Sequence, residues 1–198
     1  TLLKTKEIPF YQKTSAGCEA SLSETKLQTG ISKKACDHSN KLAIESIEKI
    51  NPTIIVIAQA NNHEEQDWLE ITERISSISN AKVMVVGPVS QWKPSLPKVI
   101  IKPRNWNNNE KIISDIGLDL SVINTDKVMN ARSNNSSYEY ISLISKLCRT
   151  DDFNNYYCRV RTNDNDLLQV DYGHLSKSGS LFVVDEILAE PLLQSYYN

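Results

Sequence analysis

The apolar positions along the chain change period several times, and each change predicts an element. From Ala35 to Ile50, the residues Leu42, Ala43, Ile47 and Ile50 recur at helical spacing, and Asn51-Pro52 stops that helix. Thr53-Ile54-Ile55-Val56-Ile57-Ala58 is an unbroken, largely β-branched run, the pattern of a strand buried on both faces of a parallel sheet. Glu64 to Ile78 places Trp68, Ile71, Ile75 and Ile78 on one face of an amphipathic helix. Lys82 to Pro88 predicts a second buried strand.

Elsewhere the pattern is shorter. Ile8 to Thr14 reads as a strand running into Ser15-Ala16-Gly17-Cys18. Ser90 to Pro103 reads as a proline-rich surface loop with an extended piece at Val99-Ile100-Ile101, and Glu110 to Ile116 as a short helix. Asp119 to Ser136 is polar and predicts no element. Tyr138 to Leu147 has helical spacing through Tyr140, Ile141, Ile144 and Leu147. Tyr156–Arg161 and Leu167–Val170 read as a hairpin around Thr162-Asn163-Asp164-Asn165-Asp166. A last helix starts near Ser178 as N-cap and runs through Leu181, Val184 and Leu188 until Pro191. Buried strands alternating with amphipathic helices predict a three-layer α/β domain.

Composition narrows this only slightly. The 198 residues suit a single domain over 1–198, and a net charge of -2 argues against a nucleic-acid partner. The basic cluster at Lys33-Lys34 reads as solvated surface. No run of about 18 apolar residues is present, nor does a signal peptide open the chain; Thr1 to Lys6 reads as the end of a helix. Four cysteines allow three disulfide connectivities. Cys18–Cys36 and Cys148–Cys158 are favoured, since each pair brackets a polar loop; four free thiols are the alternative. No metal-ligand spacing accompanies them, so no metal is expected.

The candidate chemistry lies in Asp171-Tyr172-Gly173-His174-Leu175-Ser176. A histidine can take and return a proton while a carboxylate three residues away orients it and offsets its charge. A surface pair capping the last helix is the competing reading. Ser15, Ser176 and Ser178 are the serines nearest the motif segments, and none sits in a recognisable nucleophile elbow. His38 and His63 lie in polar segments and read as exposed bystanders. Trp92 and Trp106 flank polar loops, where they could stack on a sugar or pack as core.

In order along the chain stand Gly17 after the first strand, Asn61 in Gln59-Ala60-Asn61-Asn62 after the next, and Asp171-x-x-His174 before the last helix. This order resembles the SGNH (GDSL-like) hydrolase superfamily. Gly17-Cys18 with Cys36, Gly87-Pro88-Val89 with Leu96-Pro97, and Cys148 with Cys158 ahead of Asp171-x-x-His174-Leu175-Ser176 are similar to one subgroup. That subgroup is the periplasmic SGNH domain fused to the acyltransferase-3 domain of bacterial O-acetyltransferases.

The resemblance implies a flavodoxin-like α/β/α fold with a mostly parallel sheet and a Ser-Asp-His triad, with His174 and Asp171 as two of its members. It implies an oxyanion hole from the Gly17 amide and the Asn61 side chain, with Asn62 the nearest competitor for Asn61. Transfer of acetyl to a hydroxyl of a cell-surface glycan, such as lipopolysaccharide O-antigen, is the implied activity. An acetyl esterase or a non-catalytic glycan-binding module are the alternatives. The domain is expected to bind no cofactor itself, with acetyl-CoA the ultimate donor. It is expected to be periplasmic, tethered to the inner membrane through a membrane-embedded acyltransferase-3 domain. Two departures stand out. Gln59 replaces the glycine usual in the family's third block. The Gly-Asp-Ser block that carries the nucleophile is absent, so the serine and the first strand are expected upstream of Thr1.

Overall fold

The computed structural model describes residues 9–21, 30–101, 112–113, 116–134 and 136–195. Thr1 to Lys6, Ile8 and Trp106 lie outside the described residues. Helix α1 (Gly30–Ile50) leads through Asn51, at positive φ, into β1 (Ile54–Ala58). A 3₁₀ turn (His63–Glu65) precedes α2 (Trp68–Ile78), which Asp67 caps by accepting from Glu70 N. Next come β2 (Lys82–Val86), α3 (Leu96–Ile100), β3 (Ile112–Ile113) and α4 (Leu120–Ser133). They are followed by β4 (Glu139–Ile141), α5 (Leu143–Leu147), β5 (Cys148–Thr150) and β6 (Tyr156–Arg159). The chain closes with α6 (Lys177–Leu188) and α7 (Pro191–Gln194).

Strands β1, β2 and β4 form a parallel sheet in that order. The period-2 alternation of β2 sends Val83 and Val85 to one face, among Trp68, Ile71, Ile75, Met129 and Tyr138. Met84 and Val86 go to the other, among Leu147, Leu168, Val183 and Leu193. Helices thus cover both faces, as an α/β/α domain requires. Burying each such side chain is worth roughly 1.5–3 kcal/mol, so the central strand anchors the fold. Among the described residues β1 pairs on one side only, with β2, and it is only partly covered: Val56 is 49% exposed, unlike the doubly buried strand its composition predicts.

A second, antiparallel sheet, β3–β6–β5, packs its Cys158 and the following Val160 with α3 and α4. Cys148 and Cys158 are register partners in it and form one disulfide; Cys18–Cys36 is the other. The favoured pairing is the one found, and two disulfides fit an oxidising compartment.

Several expectations are corrected. The described residues of Ile8–Thr14 form no strand, and Phe10 and Tyr11 are exposed. Ser90–Pro103 is not a surface loop over its described part: Trp92, Leu96, Val99 and Ile100 are core, and Val99 and Ile100 belong to a helix. Their spacing is helical, with the prolines disguising it; Pro97 sits in the first turn of α3, where its missing N–H costs nothing. Within Glu110–Ile116, Ile112–Ile113 is a strand rather than a helix. Tyr138–Leu147 splits at Ser142, which caps α5 by accepting from Ser145 N, because residues 139–141 pair with the edge of β2. The polar stretch after Asp119 is helix α4, capped by Asp119. The expected hairpin survives as β6 plus single bridges, Arg161 to Leu167 and Gln169 to Leu175.

Candidate active site

Asp171 and His174 sit on the loop entering α6. Gly173 and His174 follow Asp171 by two and three positions, so its carboxylate reaches their amides as in an Asx turn. Asp171 Oδ1 accepts from Gly173 N at 3.0 Å and from His174 N at 2.8 Å, and Oδ2 meets His174 Nδ1 at 2.7 Å. These bonds, the backbone amides foremost, lower the Asp171 carboxyl from its ordinary value to about 2. The carboxylate is therefore charged at neutral pH and selects the tautomer that donates from Nδ1. Nε2 faces away from that carboxylate, with no hydrogen-bond partner among the described residues. The His174 side chain is 69% exposed, and the Tyr172 ring stands edge-on to it at 5.4 Å.

The loop is pinned from beneath, in part by Gln169, which sequence reasoning passed over. Leu96 N donates to Asp171 O at 3.0 Å, and Trp92 N to Tyr172 O at 2.8 Å. The buried Gln169 accepts from Trp92 Nε1 at 2.7 Å through Oε1, and its Nε2 donates to Ser90 O at 2.6 Å. Val170 N donates to His174 O, and Ser176 N to Leu168 O. Trp92, 1% exposed, is thus a support and no sugar platform. Ser176, not Ser178, caps α6 by accepting from Gly179 N at 2.9 Å; Ser178 Oγ donates to Asp166. Gly179 lets that first turn lie against the Leu168 carbonyl, which a Cβ would strike.

Asn61 lies beyond the end of β1. Gln59 Nε2 donates to Asn61 O at 2.8 Å, and its Oε1 accepts from Ala20 N at 3.3 Å. The glutamine that departs from the family's glycine therefore ties this loop to the segment after Gly17. Glu19 adds to the tie by accepting from Asn62 Nδ2 at 2.8 Å and Gln66 Nε2 at 3.0 Å. The Asn62 amide is thereby engaged, whereas Asn61 Oδ1 accepts from Gln91 Nε2 at 3.0 Å. Gly17 occupies a tight turn at φ +64, a conformation that favours glycine, beside the Cys18–Cys36 disulfide.

His63 is 0% exposed, against the expectation of an exposed bystander. Its Nε2 meets Val86 O at 3.1 Å and its carbonyl accepts from Trp68 Nε1, so it belongs to the packing behind β2. Burial pushes its pKa down. His38 is exposed as expected. A cavity of about 200 Å³ beside Asn124, Lys127 and Tyr156 contains none of the candidate residues.

The structure is thus an α/β/α domain with an Asp-x-x-His pair on the loop before its penultimate helix. The family described as the SGNH domain fused to AT3 domains matches residues 1–189, and the chain belongs to it. A solved structure, the lipopolysaccharide acetyltransferase periplasmic domain of Salmonella ser. Paratyphi A, shares the fold with a TM-score of 0.64 and 22% identity. The match covers 78% of this chain and 62% of that one, so the chain spans less than two thirds of that structure. No curated protein sequence matches the chain.

Proposed function

We propose that this domain transfers an acetyl group to a hydroxyl of a cell-surface glycan, in the periplasm, as part of an O-acetyltransferase with an acyltransferase-3 domain. A serine from a Gly-Asp-Ser block upstream of Thr1 attacks the acetyl carbonyl and passes its proton to His174 Nε2. Asp171 holds the ring and offsets the positive charge that develops. The Gly17 amide and the Asn61 side chain stabilise the tetrahedral oxyanion. Collapse of the intermediate breaks the bond from the acetyl carbonyl to the donor, and the donor's leaving group departs with the proton from His174. A glycan hydroxyl then gives its proton to the neutral His174 and attacks the acetyl-serine, and the serine oxygen leaves and takes that proton back. Acetyl-CoA is the ultimate donor, handled by the membrane domain.

The observation that supports this most is the Asp171–His174 bond at 2.7 Å with Nε2 free among the described residues, on a loop pinned at nearly every residue. The family's fusion to AT3 domains and the two disulfides support the compartment and the partner. The experiment is acetyl transfer, and hydrolysis of an acetyl ester, by the protein extended to carry the upstream serine and the acyltransferase-3 domain. Loss of both on His174→Ala is expected. Transfer that survives His174→Ala would overturn the mechanism, and a native protein that binds glycan without turnover would make this a binding module.

A further inference from the structure

We infer that Gln91 is a positioning residue, which orients the Asn61 side-chain amide and holds it in register with the His174 loop. The inference rests on the oxyanion role proposed for Asn61. Gln91 is 9% exposed and its side chain lies between the two halves of the site. Its Nε2 is 3.0 Å from Asn61 Oδ1 and 3.4 Å from Ala60 O. A main-chain carbonyl can only accept, so the end of Gln91 facing Ala60 is the amide nitrogen. Asn61 must then present its oxygen to Gln91, and its own Nδ2 is the group left to donate. Without Gln91 the two ends of the Asn61 amide are nearly isosteric, and the wrong one would repel an oxyanion.

The same side chain reaches the other half. A Cβ on Gly173 would stand 3.3 Å from Gln91 Cγ and 3.5 Å from its Cδ. Gly173 is the neighbour of His174, and its amide is one of the two that hold Asp171. The Gln91 main chain is fixed as well, since Asp119 N donates to its carbonyl at 2.7 Å and Trp92 N to Tyr172 O. One residue thus links the donor loop to the base loop.

The test is a double-mutant cycle on acetyl-ester turnover by the protein carrying the upstream serine. Gln91→Glu replaces the donor by an acceptor and turns the Asn61 amide around. It should lower kcat on the order of 10²-fold, as losing the oxyanion donor does, with KM within about twofold. In an Asn61→Ala background the same substitution should cost less than about threefold. Gln91→Met, which removes the bond without adding a charge, should lose about tenfold in kcat with the same non-additivity; it decides the matter if the glutamate variant does not fold. Equal losses with and without Asn61, or unchanged kcat in a folded Gln91→Met, would overturn the inference while leaving an impaired Asn61→Ala, and the oxyanion reading, intact. An unimpaired Asn61→Ala would overturn that reading, and this inference with it.

Discussion

His174 and His63 are held in opposite ways. His174 shows 69% of its side chain to solvent, whereas His63 shows none. Around His174 the buried residues are the supports: Trp92, Gln169 and the backbone they grip. Around His63 the ring itself is part of the filling, bonded to the carbonyl at the end of β2. A carboxylate faces Nδ1 of His174, whereas burial around His63 disfavours a protonated ring. The fold thus holds one histidine as an exposed ring on a buried frame and the other as filling, and polarity alone does not separate the two.

The comparison breaks most sharply at His174. His174→Ala should lower acetyl turnover by roughly 10⁴-fold or more, with the melting temperature unchanged. His63→Gln should keep the rate, so equal rates for the two variants would erase the distinction. Asp171→Asn should cost roughly 10³–10⁴-fold, through loss of the tautomer and of the charge. Because the folded Asp171 pKa is depressed to about 2, its contribution is present above the ordinary 3.8 and is lost only as pH falls toward 2. Activity lost between neutral pH and about pH 5 therefore does not come from this carboxyl.

The frame rather than the ring is tested at Gly179. Gly179→Ala should destabilise the domain by about 2–3 kcal/mol in urea unfolding, because main chain, not a flexible side chain, meets the new Cβ. A smaller effect separates the histidines by pH. His63 has a folded pKa below its ordinary 6.5, so its contribution is present above 6.5 and falls as pH drops through the folded value. Melting temperatures from neutral to mildly acidic pH should slope less in His63→Gln, which keeps a donor for Val86 O but cannot titrate. Smallest of all, Tyr172→Ala removes one ring-edge contact to His174 and should change kcat by less than about fivefold.

The parts legible in the chain were those whose local pattern and tertiary role agree. The β-branched runs at 54–58 and 82–86 are strands, and Trp68, Ile71 and Ile75 do face the core. Tyr138 to Leu147 misled because its apolar spacing fits a helix, while the open edge of β2 claims three of its residues as a strand. Ser90 to Leu96 misled because prolines and polar residues usually mark surface, whereas here they fold under the His174 loop. Gln91 and Gln169 carry no sequence signal of their own. A glutamine reads as solvated until tertiary partners for its amide are in place, as Asn61 and Ala60 are for Gln91 and Trp92 and Ser90 for Gln169.

The sequence by itself determined the Asp171–His174 pair, since an Asx turn and a contact three residues away are local geometry. It also held the order of Gly17, Asn61 and His174 along the chain, and a cysteine spacing that favoured the disulfides formed. Only the tertiary structure decided that His63 is buried, that Val56 in β1 is exposed, and that Asn61 Oδ1 meets Gln91 Nε2. Those depend on which groups from segments 30 or more residues apart meet, such as Gln91 with Asn61 and Gln169 with Ser90. Local pattern sets what a residue is able to donate, and packing sets what it is left free to donate.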